Sequence, residues 1–170
     1  MKWRDYVKVI DSFSGKYSFL SNFFVGQRFK YEDLYYDSAE AAFQASKCLD
    51  ERNREKFTRM NPSRAKSIGR MVRLRPDWEY IKDDVMKKVL LCKFSSKAMA
   101  SRLINTGDAI LIEGNTWGDT YWGVCDGVGE NHLGKLLMEV REECKKRYAI
   151  ETDRVNAVKK TGVWINDKYK

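Results

Sequence analysis

Residues 38–47 read SAEAAFQASK. Asp37 or Ser38 is suited to cap the N-terminus of a helix, and the alanines that follow favour a helix that continues to about Leu49. On such a helix, side chains three and four positions apart share one face, and here that face carries Glu40, Phe43, Gln44 and Lys47. A carboxylate, an amide and an amine beside an aromatic ring are unusual for a core-packing face, which makes this helix a candidate part of a functional site.

Glu40 and Lys47 each have a structural interpretation as well. With Asp37 as the N-cap, Glu40 occupies the third helical position and supplies the carboxylate of a capping box. A lysine on a helix is ordinarily solvated, so Lys47 by itself carries little functional information. At the level of sequence, both interpretations stay open beside the functional ones.

Helical signals continue on the C-terminal side of this stretch. Residues 50–60 have the composition of a polar helix, and Asn61-Pro62 is a start signal, with Asn as N-cap and Pro at the first helical position. Pro76-Asp77 opens another helix, with apolar residues at helical spacing up to Cys92, and residues 98–104 are predicted to form a further short one. A last amphipathic helix is predicted over residues 133–144.

Short strands are predicted around these helices, at residues 7–10, 27–29, 34–36 and 109–113, with a turn at residues 30–33 that makes a hairpin of the second and third. The pattern predicts one compact α+β domain over residues 1–150, mainly helical with a few short strands. Residues 151–170 lose the helical pattern and are interpreted as a basic C-terminal extension.

Residues 115–131 are rich in Gly, Trp, Asp and Asn and show no periodic pattern, which is typical of a functional loop. Rings such as those of Trp117 and Trp122 can sandwich a planar base, and a carboxylate such as that of Asp119 can handle a proton or a ribose hydroxyl. The alternative is that both tryptophans fill the core while Asp119 bonds its own turn.

Two further features are suited to bind phosphate. The turn from Gly129 to Asn131 precedes a helix and offers backbone N–H groups, while Lys66 and Arg70 lie four positions apart on one helix face. Each has a simpler interpretation, with Asn131 as a plain N-cap and the basic pair as a solvated surface.

The composition narrows the classes of protein and of site. The net charge of +8 is compatible with an anionic ligand, and the single histidine, His132, excludes a zinc site built on several histidines. Four dispersed cysteines without a CxxC pair favour reduced thiols. We find no signal-peptide core and no apolar run long enough to cross a membrane, so we expect a soluble, cytoplasmic protein.

Taken together, these blocks resemble the NADAR (YbiA-like) family of N-glycosidases. The matching stretches are FS at 13–14, FLSNF at 19–23, SAEAAFQASK at 38–47, PSRAKSIGR at 62–70, KF at 93–94, DTYWG at 119–123 and GENHLGKLLMEVR at 129–141. The likeness spans about residues 11–145. The sequence departs from the family at Ala41 and Phe43, where many relatives carry a histidine and a tyrosine, so a polar contact that bears on substrate preference is absent.

The resemblance implies hydrolysis of an N-glycosidic bond without a metal or redox cofactor. The implied substrates are the phosphoribosylated aminopyrimidine intermediates of early riboflavin synthesis and ADP-ribosylated guanine in nucleic acid. Glu40 and Asp119 are the candidates for activating water and stabilising the sugar cation. Lys47 is a third catalytic candidate, which either donates to a ribose oxygen or captures the opened sugar as a Schiff base.

The matched blocks also supply the expected substrate-binding residues: Asn22, Phe23, Phe43, Gln44, Lys66, Arg70, Trp117, Trp122, Gly123, Gly129 and Asn131. In this scheme the tryptophans stack on the base, and the basic side chains and the glycine turn hold phosphate. The competing interpretation is a non-catalytic module that binds ADP-ribose, NAD or nucleic acid through its charge and its rings. Neither interpretation involves a membrane, and both leave the oligomeric state open.

Overall fold

The computed structural model describes residues 7–161, without the side chains of residue 154 and residues 156–161. Most of the regular structure in this part of the chain is helical, and its strands are two or three residues long. The order of the elements is β1 (Val9–Ile10), β2 (Phe29–Tyr31), β3 (Leu34–Tyr36), α1 (Ala39–Ala45), α2 (Glu51–Lys56), α3 (Pro62–Gly69), α4 (Trp78–Lys93), α5 (Lys97–Ile104), β4 (Ile110–Leu111), β5 (Gly114–Asn115), β6 (Val124–Cys125) and α6 (His132–Thr161). Two 3-10 helices, Gly15–Leu20 and Phe57–Arg59, complete the regular structure. The predicted α+β class, mainly helical with a few short strands, is confirmed.

Helix α1 is buried among several other elements. Its N-cap is Ser38, whose hydroxyl accepts a hydrogen bond from the Ala41 N–H at 3.1 Å. Every residue of α1 is buried, because the helix packs against α3, α4, α2 and β3. The interpretation that Asp37 caps α1 and that Glu40 completes a capping box is therefore wrong, since Glu40 follows the cap by only two residues.

Helices α4, α5 and α6 form the other side of the core, where α6 packs against α4 and α5. The apolar side chains that these helices bury include Val85, Met86, Val89, Leu90, Met99, Leu103, Leu137 and Val140. One buried cation ties this layer to the strands: the Arg141 guanidinium donates to the Thr106 hydroxyl at 2.8 Å and to the Ala109 carbonyl at 2.9 Å. The start of β4 is thereby held against α6.

The strands form three separate pairs. Strands β2 and β3 make the predicted antiparallel hairpin, with Phe29 opposite Tyr36. Strand β1 pairs parallel with β4, and β5 pairs parallel with β6, which places Gly114 beside Val124. The segment 115–131 is therefore not entirely irregular: the β5–β6 pair joins its first residue to Cys125 and folds the loop between the two strands back on itself.

Several boundaries differ from the prediction. Helix α1 ends at Ala45 rather than near Leu49, and residues 50–60 are divided between α2 and the second 3-10 helix. Helix α6 continues to Thr161, because the chain beyond residue 145 consists of helix-compatible residues without Gly or Pro up to that point. The predicted boundary at residue 150 thus falls inside a helix, and residues 162–170 of the predicted extension lie outside the described residues.

Two global expectations can be compared with the described part of the chain. Within residues 7–161, none of the helices combines the length and the apolar composition that crossing a bilayer requires. The side chains of Cys48, Cys92, Cys125 and Cys144 are all free thiols.

Candidate active site

A cleft of about 670 Å³ opens between α1, α3 and the segment from Glu113 to Trp122. Its wall brings together Ser21, Asn22, Phe23, Glu40, Phe43, Ser63, Lys66, Ser67, Arg70, Met86, Glu113, Trp117, Asp119, Trp122 and Leu133. The volume lies within the range of about 300–1,000 Å³ that is typical of small-molecule sites. Most of the residues that the sequence indicated as a site are thus gathered on one wall, although they are scattered along the chain.

Glu40 is a buried carboxyl group on the cleft wall, only 5% exposed. Its Oε1 accepts a hydrogen bond from Gln44 Nε2 at 2.8 Å, and its backbone N–H donates to the Asn22 carbonyl at 2.9 Å. Burial raises the pKa of Glu40, while the Gln44 hydrogen bond and the charge of Lys66 oppose that shift. The amide of Gln44 therefore orients the carboxylate and favours its charged form.

Glu113 is a second carboxyl group of the cleft, and the sequence analysis missed it as a site residue. It follows the last residue of β4 by two positions, and its Oε2 is buried with no hydrogen-bond partner in the described part of the chain. Burial and the negative charge of Asp119 raise the pKa of Glu113 to about 7, against the opposing charges of Lys66 and Lys93. In the sequence, the signal for Glu113 was only that a single charged residue ends the apolar run of residues 109–113.

Asp119 is the third carboxyl group, and a tight loop holds it. Its Oδ1 accepts a hydrogen bond from the Trp122 N–H at 2.9 Å. The Asn115 side chain accepts from the Asp119 N–H at 3.0 Å and donates to the Asp119 carbonyl at 2.7 Å. Asp119 therefore bonds its own turn, as the structural interpretation had it, and lines the cleft as well.

The three carboxyl groups do not amount to a metal centre. Within the residues that the structure describes, no group of three or more His, Cys, Asp or Glu side chains is arranged to hold a metal ion. Their proximity instead shows in their electrostatic coupling, because the charge of Asp119 raises the pKa of both Glu40 and Glu113.

The two tryptophans of the loop have different environments. Trp122 packs edge-on against Phe43, with ring centres 5.3 Å apart, and Phe43 in turn contacts Trp78. Trp117 is 63% exposed beside the cleft, so the interpretation that it fills the core is wrong. Trp122 thus presents a supported ring to the cleft, whereas Trp117 presents an exposed one.

Helix α3 supplies the positive charge of the cleft. The Lys66 ammonium lies 5.4 Å from the ring centre of Phe23 and 5.8 Å from that of Trp117. Arg70 lines the same wall one turn further along. The basic pair is therefore part of the cleft as well as of the protein surface.

Comparison with known families matches this chain to the NADAR domain over residues 10–145. The chain belongs to the NADAR family. Its curated relatives include the N-glycosidase YbiA of Escherichia coli, with 40% identity over 137 residues, which cover 78% of this NADAR chain and 84% of the relative. The N-glycosidase Npun_R5314 of Nostoc punctiforme is 34% identical over 122 residues, which cover 67% of this chain and 78% of the relative.

Two further likenesses extend this result. The chloroplastic riboflavin biosynthesis protein PYRR of Arabidopsis thaliana is 35% identical over 108 residues, which cover 59% of the NADAR chain but 18% of that larger protein. The NMR structure of the E. coli protein YbiA superimposes with a TM-score of 0.70 and 36% identity, covering 87% of this chain and 92% of that one. The predicted family is therefore confirmed by sequence and by fold.

Lys47 and Gln44 of this NADAR chain do not line the cleft. The Lys47 ammonium donates to the Gly69 carbonyl at 3.3 Å and lies 5.7 Å from the ring centre of Trp78. Burial lowers the pKa of Lys47, and the charge of Glu40 opposes that shift. Gln44 contacts the cleft only through Glu40, and it packs so closely on α3 that a Cβ at Gly69 would overlap its Oε1.

The predicted phosphate-binding turn has a structural role instead. The N–H groups of Glu130, Asn131 and His132 donate to the carbonyls of residues 120, 123 and 121, so they point at the preceding loop rather than at a ligand. A Cβ at Gly129 would overlap the Gly123 carbonyl oxygen, and one at Gly123 would overlap that of Glu113. The turn therefore holds residues 120–123 of the loop against the segment after β4.

Asn131 makes the decisive contacts of this turn. Its Oδ1 accepts a hydrogen bond from the Glu113 N–H at 3.0 Å, and its Nδ2 donates to the Leu111 carbonyl at 2.9 Å. Its backbone is left-handed, with φ at +55°. Asn131 thus supports the backbone that carries Glu113, and it does not line the cleft itself.

Six residues line the cleft without having been predicted: Ser21, Ser63, Ser67, Met86, Glu113 and Leu133. The two serines of α3 had a signal in the sequence, since Ser63, Lys66, Ser67 and Arg70 share one helical face. Met86 and Leu133 had none, because an apolar residue at helical spacing indicates core packing.

Proposed function

We propose that this protein is an N-glycosidase that hydrolyses the bond between the anomeric carbon of a phosphorylated ribosyl group and a nitrogenous base. The observation that carries the proposal is a cleft in which three carboxyl groups, those of Glu40, Glu113 and Asp119, lie beside an aromatic ring and a lysine. The names of the relatives from E. coli and Nostoc punctiforme support the same reaction class, a hydrolase that acts on N-glycosyl bonds.

Cleavage of the C–N bond develops positive charge on the anomeric carbon and the ring oxygen, so nearby carboxylates stabilise the transition state. In the proposal, Glu40 and Asp119 are the two carboxylates that serve the reaction. One faces the sugar cation, and the other accepts a proton from the attacking water. Both are oriented by hydrogen bonds, Glu40 by the Gln44 amide and Asp119 by the Trp122 N–H. Because Glu40 is buried, its charge acts in a medium that screens it less than bulk water does.

The cleft wall carries groups that are complementary to a base and others that are complementary to a phosphate. Trp122 offers a ring for stacking, and its contact with Phe43 keeps that ring in place. On α3, Lys66 and Arg70 are positioned to pair with phosphate oxygens, and the hydroxyls of two serines stand on the same face. Asn22 and Phe23 close the wall beside them.

Lys47 acts on Glu40 rather than on the sugar in this proposal. Its ammonium is bonded to the Gly69 carbonyl, and its charge lowers the pKa of Glu40. A direct bond to the sugar, including a Schiff base, would require the ammonium to leave that carbonyl and enter the cleft. In the proposal, Lys47 is therefore a positioning residue for Glu40 and not the catalytic residue that the sequence had predicted.

Phosphoribosylated aminopyrimidines are the first substrates to test, in line with a plant relative that is named for riboflavin biosynthesis. ADP-ribosylated guanine in an oligonucleotide is the second. The exposed ring of Trp117 favours the latter, since a base that belongs to a strand brings neighbouring bases that stack on an exposed aromatic surface.

The test is a direct assay of bond cleavage by the purified protein. Each substrate is incubated with the wild type and with Glu40→Gln, and the released base and ribosyl product are separated by chromatography. We expect Glu40→Gln to lose about 10²-fold or more in kcat, because the buried charge beside the sugar is removed. Glu55→Gln, an exposed glutamate of α2 far from the cleft wall, is the matched control and should keep full activity.

The outcomes separate the competing functions. Release of base by the wild type, lost in Glu40→Gln, supports the hydrolase. Binding of ADP-ribose, NAD or oligonucleotide without release of any base by the wild type would refute it and favour the non-catalytic binding module. Full activity of Glu40→Gln would refute the part assigned to Glu40 alone.

A further inference from the structure

We infer that Glu113 is the general acid of the reaction and donates a proton to the nitrogen of the departing base. The inference rests on the proposed function and deepens it by assigning a third catalytic residue. The three carboxyl groups that face the cleft differ in the hydrogen bonds that they accept.

Glu113 differs from the other two in its hydrogen bonds. Glu40 accepts from the Gln44 amide and Asp119 accepts from the Trp122 N–H, and such donors stabilise a carboxylate. Within the described residues, the Oε2 of Glu113 is buried and has no donor. A buried oxygen without a donor favours the neutral carboxylic acid, and Glu113 lines the cleft, where that acid can donate to a ligand.

The charged groups around Glu113 agree with that role. Asp119 and Glu40 disfavour a third negative charge in the cleft, and Lys66 and Lys93 favour it. The Lys93 ammonium donates to the Ser21 carbonyl at 2.7 Å, and the contacts of the described residues include no hydrogen bond from it to Glu113. The result is a group whose pKa is raised to about 7 by burial, so it is partly protonated at neutral pH.

The backbone that carries Glu113 is held on both sides. Its N–H donates to Asn131 Oδ1 at 3.0 Å, and its carbonyl accepts from the Val124 N–H at 2.9 Å. A general acid must stay within hydrogen-bond reach of the atom that it protonates. A fixed backbone restricts the positions that the carboxyl group can take.

The proposed reaction moves one proton to the departing base and takes one from the attacking water. The Glu113 carboxyl proton passes to the glycosidic nitrogen while the C–N electron pair moves onto that nitrogen and the base departs. A water oxygen bonds to the anomeric carbon, and its proton passes to the Asp119 carboxylate. The products are the free base and the ribosyl hemiacetal, and one proton transfer from Asp119 to Glu113 restores the starting state.

The experiment compares leaving groups that do and do not need a proton. The aminopyrimidine base of a ribosylaminopyrimidine 5′-phosphate departs only after protonation, whereas the pyridinium base of nicotinamide mononucleotide departs as a neutral molecule. Wild type, Glu113→Gln, Glu113→Asp and the control Glu55→Gln are assayed on both between pH 5.5 and 9. Circular dichroism of each variant verifies that it is folded.

The wild type should lose kcat/KM on the aminopyrimidine as pH rises through about 7, because the acid is then deprotonated. Glu113→Gln should lose about 10²- to 10⁴-fold in kcat on this substrate and lack the alkaline fall, while its loss on the pyridinium substrate should be far smaller. Glu113→Asp should retain the alkaline fall at a reduced rate.

The inference would be overturned if Glu113→Gln cleaved the aminopyrimidine substrate at the wild-type rate, or if its activity fell equally on both substrates. Either result would leave the N-glycosidase function intact. If the wild type cleaves neither substrate nor ADP-ribosylated guanine, the proposed function itself fails, and the part assigned to Glu113 fails with it.

Discussion

Asn131 allows a test of whether the turn before α6 binds phosphate or supports Glu113. Replacing it removes two hydrogen bonds, to the Glu113 N–H at 3.0 Å and to the Leu111 carbonyl at 2.9 Å. At about 1 kcal/mol net for each bond, Asn131→Gly should lower the free energy of unfolding by about 2 kcal/mol. Asn131→Ala should lower it by about 1 kcal/mol more, because the left-handed backbone at φ +55° disfavours a Cβ.

Urea and thermal unfolding measure these losses, and about 2 kcal/mol corresponds to about 4–8 °C in melting temperature for a chain of this size. Asp126 is the matched control: it is exposed, its backbone is also left-handed at φ +50°, and replacing it by Gly or Ala isolates the backbone contribution. In activity assays, Asn131→Gly should reduce kcat more than it raises KM, since Glu113 is displaced and no contact to phosphate is lost. An unchanged stability with a KM raised only for phosphorylated substrates would refute this reasoning.

The remaining predictions concern packing and pH. Gly69→Ala should destabilise the fold by about 1–3 kcal/mol in urea unfolding, because the new Cβ would overlap Gln44 Oε1 and lie 2.6 Å from its Cδ. It should also reduce activity through Glu40, and the penalty should shrink in a Gln44→Ala background; a gain in stability would contradict the tight contact. The folded-state pKa of Glu113, about 7, lies above its ordinary value of 4.5, so the folded state binds the proton more tightly and the wild type loses stability as pH rises between these values. The side chain at position 113 cannot titrate in Glu113→Gln. The melting temperature of this variant minus that of the wild type should therefore increase from pH 5 to pH 8. A constant difference would show that Glu113 does not titrate in this pH range.

Helix starts were predictable where their signal is local. Asn61 and Pro62 begin α3 as predicted, because the Asn61 side chain accepts from the Arg64 N–H at 2.9 Å and proline has no N–H that needs a partner. The β5–β6 pair was not predictable, since a strand of two residues has no periodicity and its stability depends on a partner about ten residues away.

The site was predictable by residue type and not by environment. Glu40 and Asp119 were found because carboxylates stood beside rings and amines in the matched blocks. Glu113 was missed because one acid at the end of an apolar run indicates only where a strand ends. Its raised pKa arises from burial by other segments and from the charge of Asp119, which no local pattern reveals.

By itself, the sequence determined the family, the mainly helical α+β class and the kinds of group that the chemistry uses, since these depend on local patterns and on the order of the motifs. Only the tertiary structure decided which of those groups face the cleft. The stretch 38–47 shows the reason: α1 ends at Ala45, so Lys47 does not continue the helical face of Glu40, and contact with Gly69 turns its ammonium toward α3. The same folding brings Glu113 and Asp119 to the cleft wall beside Glu40, more than 70 residues away along the chain, and burial there raises the pKa of Glu113 and of Glu40.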